Sequence, residues 1–301
     1  MSRKGIAQAC YACVLNQTKT AAKYAQISAS ETTELLNQVQ VALDNSAQTG
    51  IVVQHIIRSV ADAIIELKNA DFDIYQSVKQ LSNKVARAYA ADLQQQINIS
   101  SSPLDTAIQI SAAGNIIDFG AKSHGDLDLE KEMQQLQEVK FHRYDIEALR
   151  AKLAVAKNML FICDNAGEIV FDKLLIKCLQ SKYPNLLIIA AVRHKPIIND
   201  ATLVDAVDSG LTQIVKVISS GSVYPGTILP ETSAQFQQLY ADADLVLAKG
   251  QGNFETLLSI AEEKLFFLLR IKCATMAMLS GVEPGNLVLM QNPKETIKPT
   301  I

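Results

Sequence analysis

Two adjacent side chains, Asp164 and Asn165, stand where an apolar run stops and could together bind a cation. Residues 159–163 are predicted to form a short buried strand, and residues 169–182 carry apolar side chains at helical spacing. The acid and the amide therefore lie in a turn between the carboxyl end of a strand and the start of a helix. Ligands bind at that edge of an open α/β sheet, and carboxylate and amide oxygens suit a hard cation.

The next predicted strands cover residues 186–192, 213–218 and 245–248, and a cluster of polar residues follows each of them. Because parallel strands end at the same edge of a sheet, these clusters are expected to lie beside Asp164 and Asn165. The candidate side chains and turns in them are Asp200, Ser220, Gly221, Lys249 and Asn253.

The chemistry expected from these residues is phosphate chemistry assisted by a metal. Asp164, Asn165 and Asp200 offer the oxygen ligands that Mg²⁺ or Mn²⁺ prefers. Lys249 adds a positive charge for phosphate oxygens, and the backbone around Ser220 could cradle the same anion. Such a set could stabilise the charge that develops during phosphoryl transfer to water. Each residue also has an ordinary structural interpretation, since Asp200 could cap a helix and Lys249 could be a solvated strand end.

Three familiar site types do not fit the sequence. The first strand-to-helix turn lacks the G-x-G-x-x-G pattern of dinucleotide sites. A phosphatase that forms an aspartyl phosphate would carry a second acid two residues after the first, where Ala166 stands. Ser219 and Ser222 do not match the nucleophile elbow of serine hydrolases. A covalent serine or aspartate mechanism is therefore disfavoured.

The elements that must position these side chains change character along the chain. The first 110 or so residues read as helices only; Ser28 and Glu31 are spaced as a capping box, and a short helix is predicted from Pro103 to about residue 114. From residue 159 onward, strands and helices alternate, which indicates a mostly parallel sheet with helices on both faces. Residues 265–269 add a strand, and residues 286–290 are predicted as an edge strand.

These patterns predict an all-α part followed by a Rossmann-like three-layer α/β/α part. The predicted boundaries are residues 1–120 for the helical bundle and 158–301 for the α/β/α domain. The connector up to about residue 157 is expected to be charged and to hold one or two helices, the last over residues 145–157.

Charge and hydropathy exclude several classes of partner. The formal net charge of the 301 residues is −3, without a basic stripe for nucleic acid. The longest clean apolar run, residues 186–192, is too short for a membrane span, and Gln8 interrupts the only stretch that resembles a signal peptide. We expect a cytoplasmic protein that binds neither nucleic acid nor membrane. Its oligomeric state is left open.

The five cysteines do not indicate a secreted disulfide framework. Cys163, Cys178 and Cys273 lie in strand or helix patterns and are most simply small buried hydrophobes. Cys10 and Cys13 form a single C-x-x-C, a spacing that suits a metal or redox pair. No second pair follows, so the spacing alone does not define a zinc site.

An ordered series of short motifs resembles the damage-control phosphatase family, formerly a domain of unknown function. The motifs are Ala113-Gly-Asn-Ile-Ile-Asp118, Asp164-Asn-Ala-Gly-Glu168, Asn199-Asp-Ala-Thr202, Ser220-Gly221, Lys249-Gly-Gln-Gly-Asn-Phe-Glu255 and Lys272-Cys273. They run in order along almost the whole chain. Cys10-Tyr-Ala-Cys13 with Lys272-Cys273 resembles the archaeal and bacterial subfamily. His194 and Arg270 look unlike the usual residues beside their motifs, which bears on substrate preference.

The resemblance implies a metal-dependent phosphatase acting on small phosphomonoesters, such as damaged or surplus sugar phosphates or phosphorylated cofactor intermediates. A divalent metal (Mg²⁺, Mn²⁺, Co²⁺ or Ni²⁺) would be held by Asp164, Asn165 and Asp200 and would activate the attacking water. Lys249 matches a phosphate-binding position. Asn115, Ser220, Gly221 and Asn253 are expected near the substrate or its phosphate, and Glu168 is expected to orient the metal or its water. Cys10, Cys13 and Cys273 could form a second metal site or a redox site.

Two rival functions remain. One is an S-adenosylmethionine-dependent carboxyl methyltransferase, an activity also claimed within this family, although no glycine-rich loop for that cofactor is visible. The other is a protein without catalytic activity that binds a phosphorylated metabolite through the same sheet edge. The partner expected for the phosphatase and for the binding protein is a small phosphorylated metabolite.

Overall fold

Helices make up the first half of the described chain. The computed structural model describes residues 5–69, 72–114 and 140–293. The helices are α1 (Tyr11–Ala25), α2 (Ala29–Asp44), α3 (Ser46–Thr49), α4 (Val53–Lys68), α5 (Gln76–Ile99) and α6 (Pro103–Ala113). The predicted capping box is present at the start of α2, and Pro103 occupies the first turn of α6. Within the described ranges, none of the helices combines the length and the apolar character needed to cross a membrane.

A seven-stranded sheet with intervening helices forms the second half. Its strands are β1 (Phe141–Tyr144), β2 (Asn158–Ile162), β3 (Leu187–Val192), β4 (Lys216–Ser219), β5 (Leu245–Lys249), β6 (Leu265–Arg270) and β7 (Leu287–Gln291). The helices are α7 (Ile146–Val155), α8 (Glu168–Lys182), α9 (Leu203–Asp208), α10 (Ala234–Asp242), α11 (Gly250–Leu257) and α12 (Ala274–Ser280). The strand order is β1-β7-β6-β5-β2-β3-β4, and only β6 and β7 pair antiparallel. The predicted helical part followed by a mostly parallel sheet is confirmed.

Two predictions about the sheet margin are wrong. Strand β7 was expected at the edge, but β1 pairs with it in parallel and takes the edge position. Residues 141–144 were expected to belong to a helical connector, and they form this extra strand instead. Sequence pattern misses β1 because it is short and none of its residues is fully buried, so it carries no apolar run.

Strand β2 lies inside the sheet and has a parallel neighbour on each side. It pairs in parallel with β3 on one side and with β5 on the other, and Ile162 lies level with Ala191 and with Ala248. The residues that follow these three strands therefore emerge at the same edge of the sheet. Such a switch point is the usual ligand-binding crevice of an open α/β sheet.

Three apolar clusters hold the described residues together. One contains residues of α1, α2 and α4. A second lies between one face of the sheet and a layer that includes α5, α6, α7 and α8, and the third packs α10, α11 and α12 on the opposite face. Helices α5 and α6 therefore pack against the sheet in the same layer as α7 and α8, although they belong to the helical first half of the chain. The division into domains at residues 120 and 158 stays a prediction.

Candidate functional site

Asp164 and Asp200 lie on two loops that the backbone ties together. Asp164 follows β2, and its carbonyl oxygen accepts a hydrogen bond from Ala201 N at 2.7 Å. A further bond joins Ala166 N to Asn199 O at 2.9 Å, and Asn165 and Asp200 form an isolated antiparallel bridge. The structure therefore brings together the three predicted metal ligands, although Asp200 lies 35 positions after Asn165 in sequence.

The two carboxylates are buried, and Asp164 lies close to two further acids. Asp164 is 7% exposed and Asp200 is 1% exposed. Burial raises the pKa of the Asp164 carboxyl well above its usual range, and the charges of Asp200 and Glu168 raise it further. Burial also raises the pKa of Asp200, although Arg193 opposes this. A divalent cation would relieve the repulsion, so the oxygen donors present here fit such an ion.

Asn165 is oriented by the acids beside it. Its Nδ2 donates to Asp164 Oδ2 at 2.7 Å and to Glu168 Oε2 at 3.2 Å. With its amide nitrogen so engaged, Asn165 would bind a cation through its amide oxygen. Within residues 5–69, 72–114 and 140–293, no group of three His, Cys, Asp or Glu side chains is arranged to hold a metal ion. The predicted set instead combines two carboxylates with this amide.

Arg193 was not singled out from the sequence, and it is the cation in closest contact with the acid pair. It is 1% exposed and follows β3. Its Nε donates to Asp200 Oδ2 at 2.7 Å, and its Nη2 lies 3.9 Å from Asp164 Oδ1. Its other bonds go to Thr227 Oγ1 at 3.1 Å and Asn253 Oδ1 at 3.0 Å. Arg193 thus fixes Asp200 in place. The only signal in the sequence was its position directly after a strand.

Lys249, predicted to bind phosphate, is engaged by protein oxygens in this structure, and its contact with phosphate stays a prediction. It is fully buried, and its Nζ donates to Glu168 Oε1 at 2.5 Å, Asp172 Oδ1 at 2.6 Å and Ser111 O at 3.0 Å. Burial alone would lower the pKa of Lys249, but the two carboxylates raise it. An ammonium group has three hydrogens, and all three are donated to protein oxygens. In this arrangement Lys249 is the counterion of Glu168 and Asp172, and contact with phosphate would require one of these bonds to open.

Because Gly250 has no side chain, the Asp164 carboxylate can occupy the space beside its backbone. Its φ is +78°, and a Cβ built on it would lie 1.9 Å from Asp164 Oδ2. Gly281 has a similar φ of +72°, and no atom of the residues described in the structure lies within 4 Å of a Cβ built on it. We predict that Gly250→Ala displaces Asp164 and lowers phosphate release at least about 100-fold. Gly281→Ala, assayed in parallel, carries only the backbone strain of about 1 kcal/mol and retains activity. Equal rates in the two variants would contradict the prediction.

The remaining substrate-side candidates are engaged within the protein. Asn253 is fully buried; its Oδ1 accepts from Arg193 and from Thr227 Oγ1, and its Nδ2 donates to Lys249 O at 2.7 Å. Ser220 is also fully buried, and its backbone N donates to Val192 O at 2.8 Å. Gly221 N donates to Ser219 Oγ at 3.2 Å. The backbone N–H groups of Ser220 and Gly221 are therefore donated within the protein, and their role in phosphate binding stays a prediction. Asn115 lies outside the described residues.

Lys272 is an exposed lysine whose charge reaches the acid pair. It favours ionisation of both Asp164 and Asp200, and so lowers the pKa of each against the effect of burial. Its backbone N donates to Gln251 Oε1 at 3.0 Å, which ties it to α11. Its ammonium group is therefore well placed to meet an anion that approaches the two carboxylates.

The three motif cysteines come from opposite ends of the chain and gather beside α12. Cys273 caps this helix, and Cys10 hydrogen-bonds the side chain of Thr275 in its first turn. Burial raises the pKa of Cys10 and of Cys13, and the charges of Glu255 and Cys273 raise both further. Thiols with a raised pKa are weak nucleophiles. A metal or redox role for these cysteines stays a prediction.

Comparison with known proteins gives a consistent result. A family model described as "Damage-control phosphatase ARMT1-like domain" matches residues 6–288. A damage-control phosphatase of Pyrococcus horikoshii is 34% identical over 79% of this chain and 83% of its own length. A damage-control phosphatase of Archaeoglobus fulgidus is 28% identical over 94% and 98%, respectively. A crystal structure of a DUF89 family protein from P. horikoshii superposes with a TM-score of 0.83 at 30% identity, covering 96% of this chain and 99% of that one.

Proposed function

The chain belongs to the ARMT1-like damage-control phosphatase family, and we propose that it hydrolyses small phosphomonoesters at the carboxyl ends of β2 and β3 with the help of a divalent cation. The family supports phosphatase activity. The substrate class proposed is a damaged or surplus sugar phosphate or a phosphorylated cofactor intermediate. The observation that carries the proposal is the pair of buried carboxylates, Asp164 and Asp200, whose charges are only partly balanced.

The residues that would hold the cation are Asp164, Asn165 and Asp200. Such a cation supplies Lewis-acid chemistry, since it stabilises charge on phosphoryl oxygens and lowers the pKa of water by several units. The chain supplies the geometry. Arg193 fixes Asp200 through the 2.7 Å bond, Gly250 admits the Asp164 carboxylate, and Glu168 holds the amide of Asn165.

Lys272 is proposed as the residue that receives the phosphate. It is exposed and its charge acts on both carboxylates, whereas the ammonium of Lys249 is fully engaged with protein oxygens. A flexible lysine can follow the phosphoryl group as its charge changes during transfer. The proposal therefore moves the phosphate contact from Lys249 to Lys272.

Replacing Lys272 by glutamine is expected to reduce kcat/KM for phosphomonoesters roughly 10- to 100-fold, because one charge-assisted hydrogen bond to phosphate is lost. Lys177→Gln, at an exposed position on α8, is the matched control and should act like the wild type. The measurement is steady-state phosphate release with metal affinity measured in parallel. A wild-type kcat/KM in Lys272→Gln would contradict the proposal and show that another residue binds the phosphate.

The test of the function is phosphate release from sugar phosphates and phosphorylated cofactor precursors. The protein is first stripped of metal with a chelator, and Mg²⁺, Mn²⁺, Co²⁺ or Ni²⁺ is then added back singly. Release that requires metal and disappears in Asp164→Ala is the expected result. Metal-dependent binding of these compounds without turnover would instead favour the binding protein. Calorimetric binding of S-adenosylmethionine, with no phosphate release, would favour the methyltransferase.

A further inference from the structure

Asn83, a buried residue of α5, contacts the loop that carries Asp164 directly and is linked to the loop that carries Asp200 through Asp205 of α9. It is 1% exposed, and its Oδ1 accepts a hydrogen bond from Gly167 N at 2.7 Å. Gly167 caps the start of α8, three residues after Asp164. On its other side, Asn83 Nδ2 donates to Asp205 Oδ1 at 3.4 Å. One amide side chain therefore spans from the Asp164 loop to the start of α9.

Asp205 carries this connection to Asp200. Its Oδ2 accepts from both the backbone N and the Oγ1 of Thr202, each at 2.8 Å. Thr202 lies two residues after Asp200 and caps α9. The side chain of Asp205 therefore fixes the backbone that leaves Asp200.

Lys79 completes the arrangement one helical turn before Asn83, on the same face of α5. It is 2% exposed, and its Nζ lies 2.7 Å from Asp205 Oδ2 and 2.8 Å from Asp73 Oδ2. Burial alone would lower the pKa of Lys79, but the two carboxylates raise it, so it stays charged. We call Lys79, Asn83 and Asp205 the α5 clamp.

Good packing of α5 against the rest of the protein does not by itself require the buried polar side chains of the α5 clamp. Along the same helix, Ala86, Leu93 and Ile97 fill the apolar layer against the sheet. Replacing buried polar groups with apolar groups of similar volume is often neutral or stabilising, so a buried lysine and asparagine are weak evidence for stability. Their polar atoms are directed to Gly167, on the loop that carries Asp164, and to Asp205, in the helix that follows the Asp200 loop.

We propose that Asn83 is a positioning residue for the metal site, which sets the separation of Asp164 and Asp200 through Gly167 and Asp205 and so determines metal affinity from the helical part of the chain. The inference rests on the proposed function. Outer contacts of this kind usually change metal affinity 10- to 100-fold when removed. The expected consequence is a loss of affinity without a matching loss of the fold.

The test is calorimetric titration of the full-length, metal-free protein with Mn²⁺ alone. Asn83→Leu removes both hydrogen bonds at similar volume and should weaken Mn²⁺ binding roughly 10- to 100-fold. Asn98→Leu, at an exposed position near the end of α5, is the matched control and should bind as the wild type does. Thermal unfolding of the metal-free proteins shows whether the two variants are folded.

A second variant tests the proposal even if Asn83→Leu does not fold. Asn83→Asp keeps the acceptor for Gly167 N but sets two carboxylates against each other, and it should also weaken Mn²⁺ binding. Adding Asp205→Asn restores a donor and an acceptor between positions 83 and 205, and should recover part of the affinity, a rescue that a purely structural role would not give.

The outcomes separate the inference from the function on which it rests. Wild-type Mn²⁺ affinity in a folded Asn83→Leu or Asn83→Asp variant overturns the α5 clamp and leaves the phosphatase proposal standing. Absence of Mn²⁺ binding by the wild type, together with metal-independent phosphate release, overturns the metal site and the clamp inference with it.

Discussion

Replacing Asp164 by asparagine is expected to lower metal-dependent phosphate release by at least about 10³-fold, which corresponds to about 4 kcal/mol of transition-state stabilisation. The substitution removes a negative ligand and keeps the shape of the side chain. The free energy of unfolding without metal should stay equal or rise. Burial and the charges of Asp200 and Glu168 raise the pKa of Asp164, so the ionised carboxylate costs the folded protein free energy at neutral pH.

The control is Asp242→Asn, which removes an exposed carboxylate on α10. Both variants are compared by phosphate release and by denaturant unfolding in the presence of a chelator. Retention of the wild-type rate and metal dependence in Asp164→Asn would show that the cation binds elsewhere. Loss of activity together with a large loss of stability would show that Asp164 has a structural role.

Replacing Lys249 by methionine is expected to lower the free energy of unfolding by about 3–5 kcal/mol, because Glu168 and Asp172 are left as buried charges without a counterion. Among the described residues, Asp172 Oδ2 has no hydrogen-bond partner even with Lys249 present. Burial raises the pKa of Asp172 to about 6, against the opposing charge of Lys249. Losing that charge should raise it further.

The pH dependence of stability identifies the cause. A carboxyl group whose pKa is raised in the folded state stabilises it fully below the unfolded pKa of about 4, and that stability is lost as pH rises through the folded pKa. Lys249→Met should therefore regain stability relative to wild type as pH falls from about 8 to about 5. Adding Asp172→Asn should restore part of it at neutral pH. Lys177→Met, at an exposed position on α8, should be nearly neutral, and an equal effect there would contradict the prediction.

Strand and helix positions follow well from local pattern in the second half of the chain. Residues 159–163, 186–192 and 245–248 are apolar runs bounded by polar turns, and each run overlaps a strand. The pattern fails at the sheet margin, where β1 is only half-buried and β7 is apolar without being an edge strand. Burial by a neighbouring strand is a tertiary property that no local pattern records.

The candidate site was predicted as a set of loops but not as a network of contacts. Strand ends locate Asp164, Asp200 and Lys249 at one edge of the sheet, as the parallel pairing requires. The sequence could not show that Lys249 donates to Ser111 O, or that Asn83 reaches Gly167. Asn83 and Ser111 lie on α5 and α6, and the local sequence of a helix does not indicate which strand or loop its face will contact.

Contacts of long sequence separation also decide when the site can exist during translation. The bonds from Asn83 to Gly167 and from Lys249 to Ser111 join residues 84 and 138 positions apart. A nascent chain that has reached β4 already carries all three proposed metal ligands, but it lacks Gly250 behind Asp164 and the counterion for Glu168 and Asp172. Because chains emerge from the ribosome with the amino terminus first, the acids can form these contacts only after β5 and α11 have been synthesised. A prematurely terminated product is thus expected to leave the carboxylates of Glu168 and Asp172 without the counterion that balances them in the finished protein.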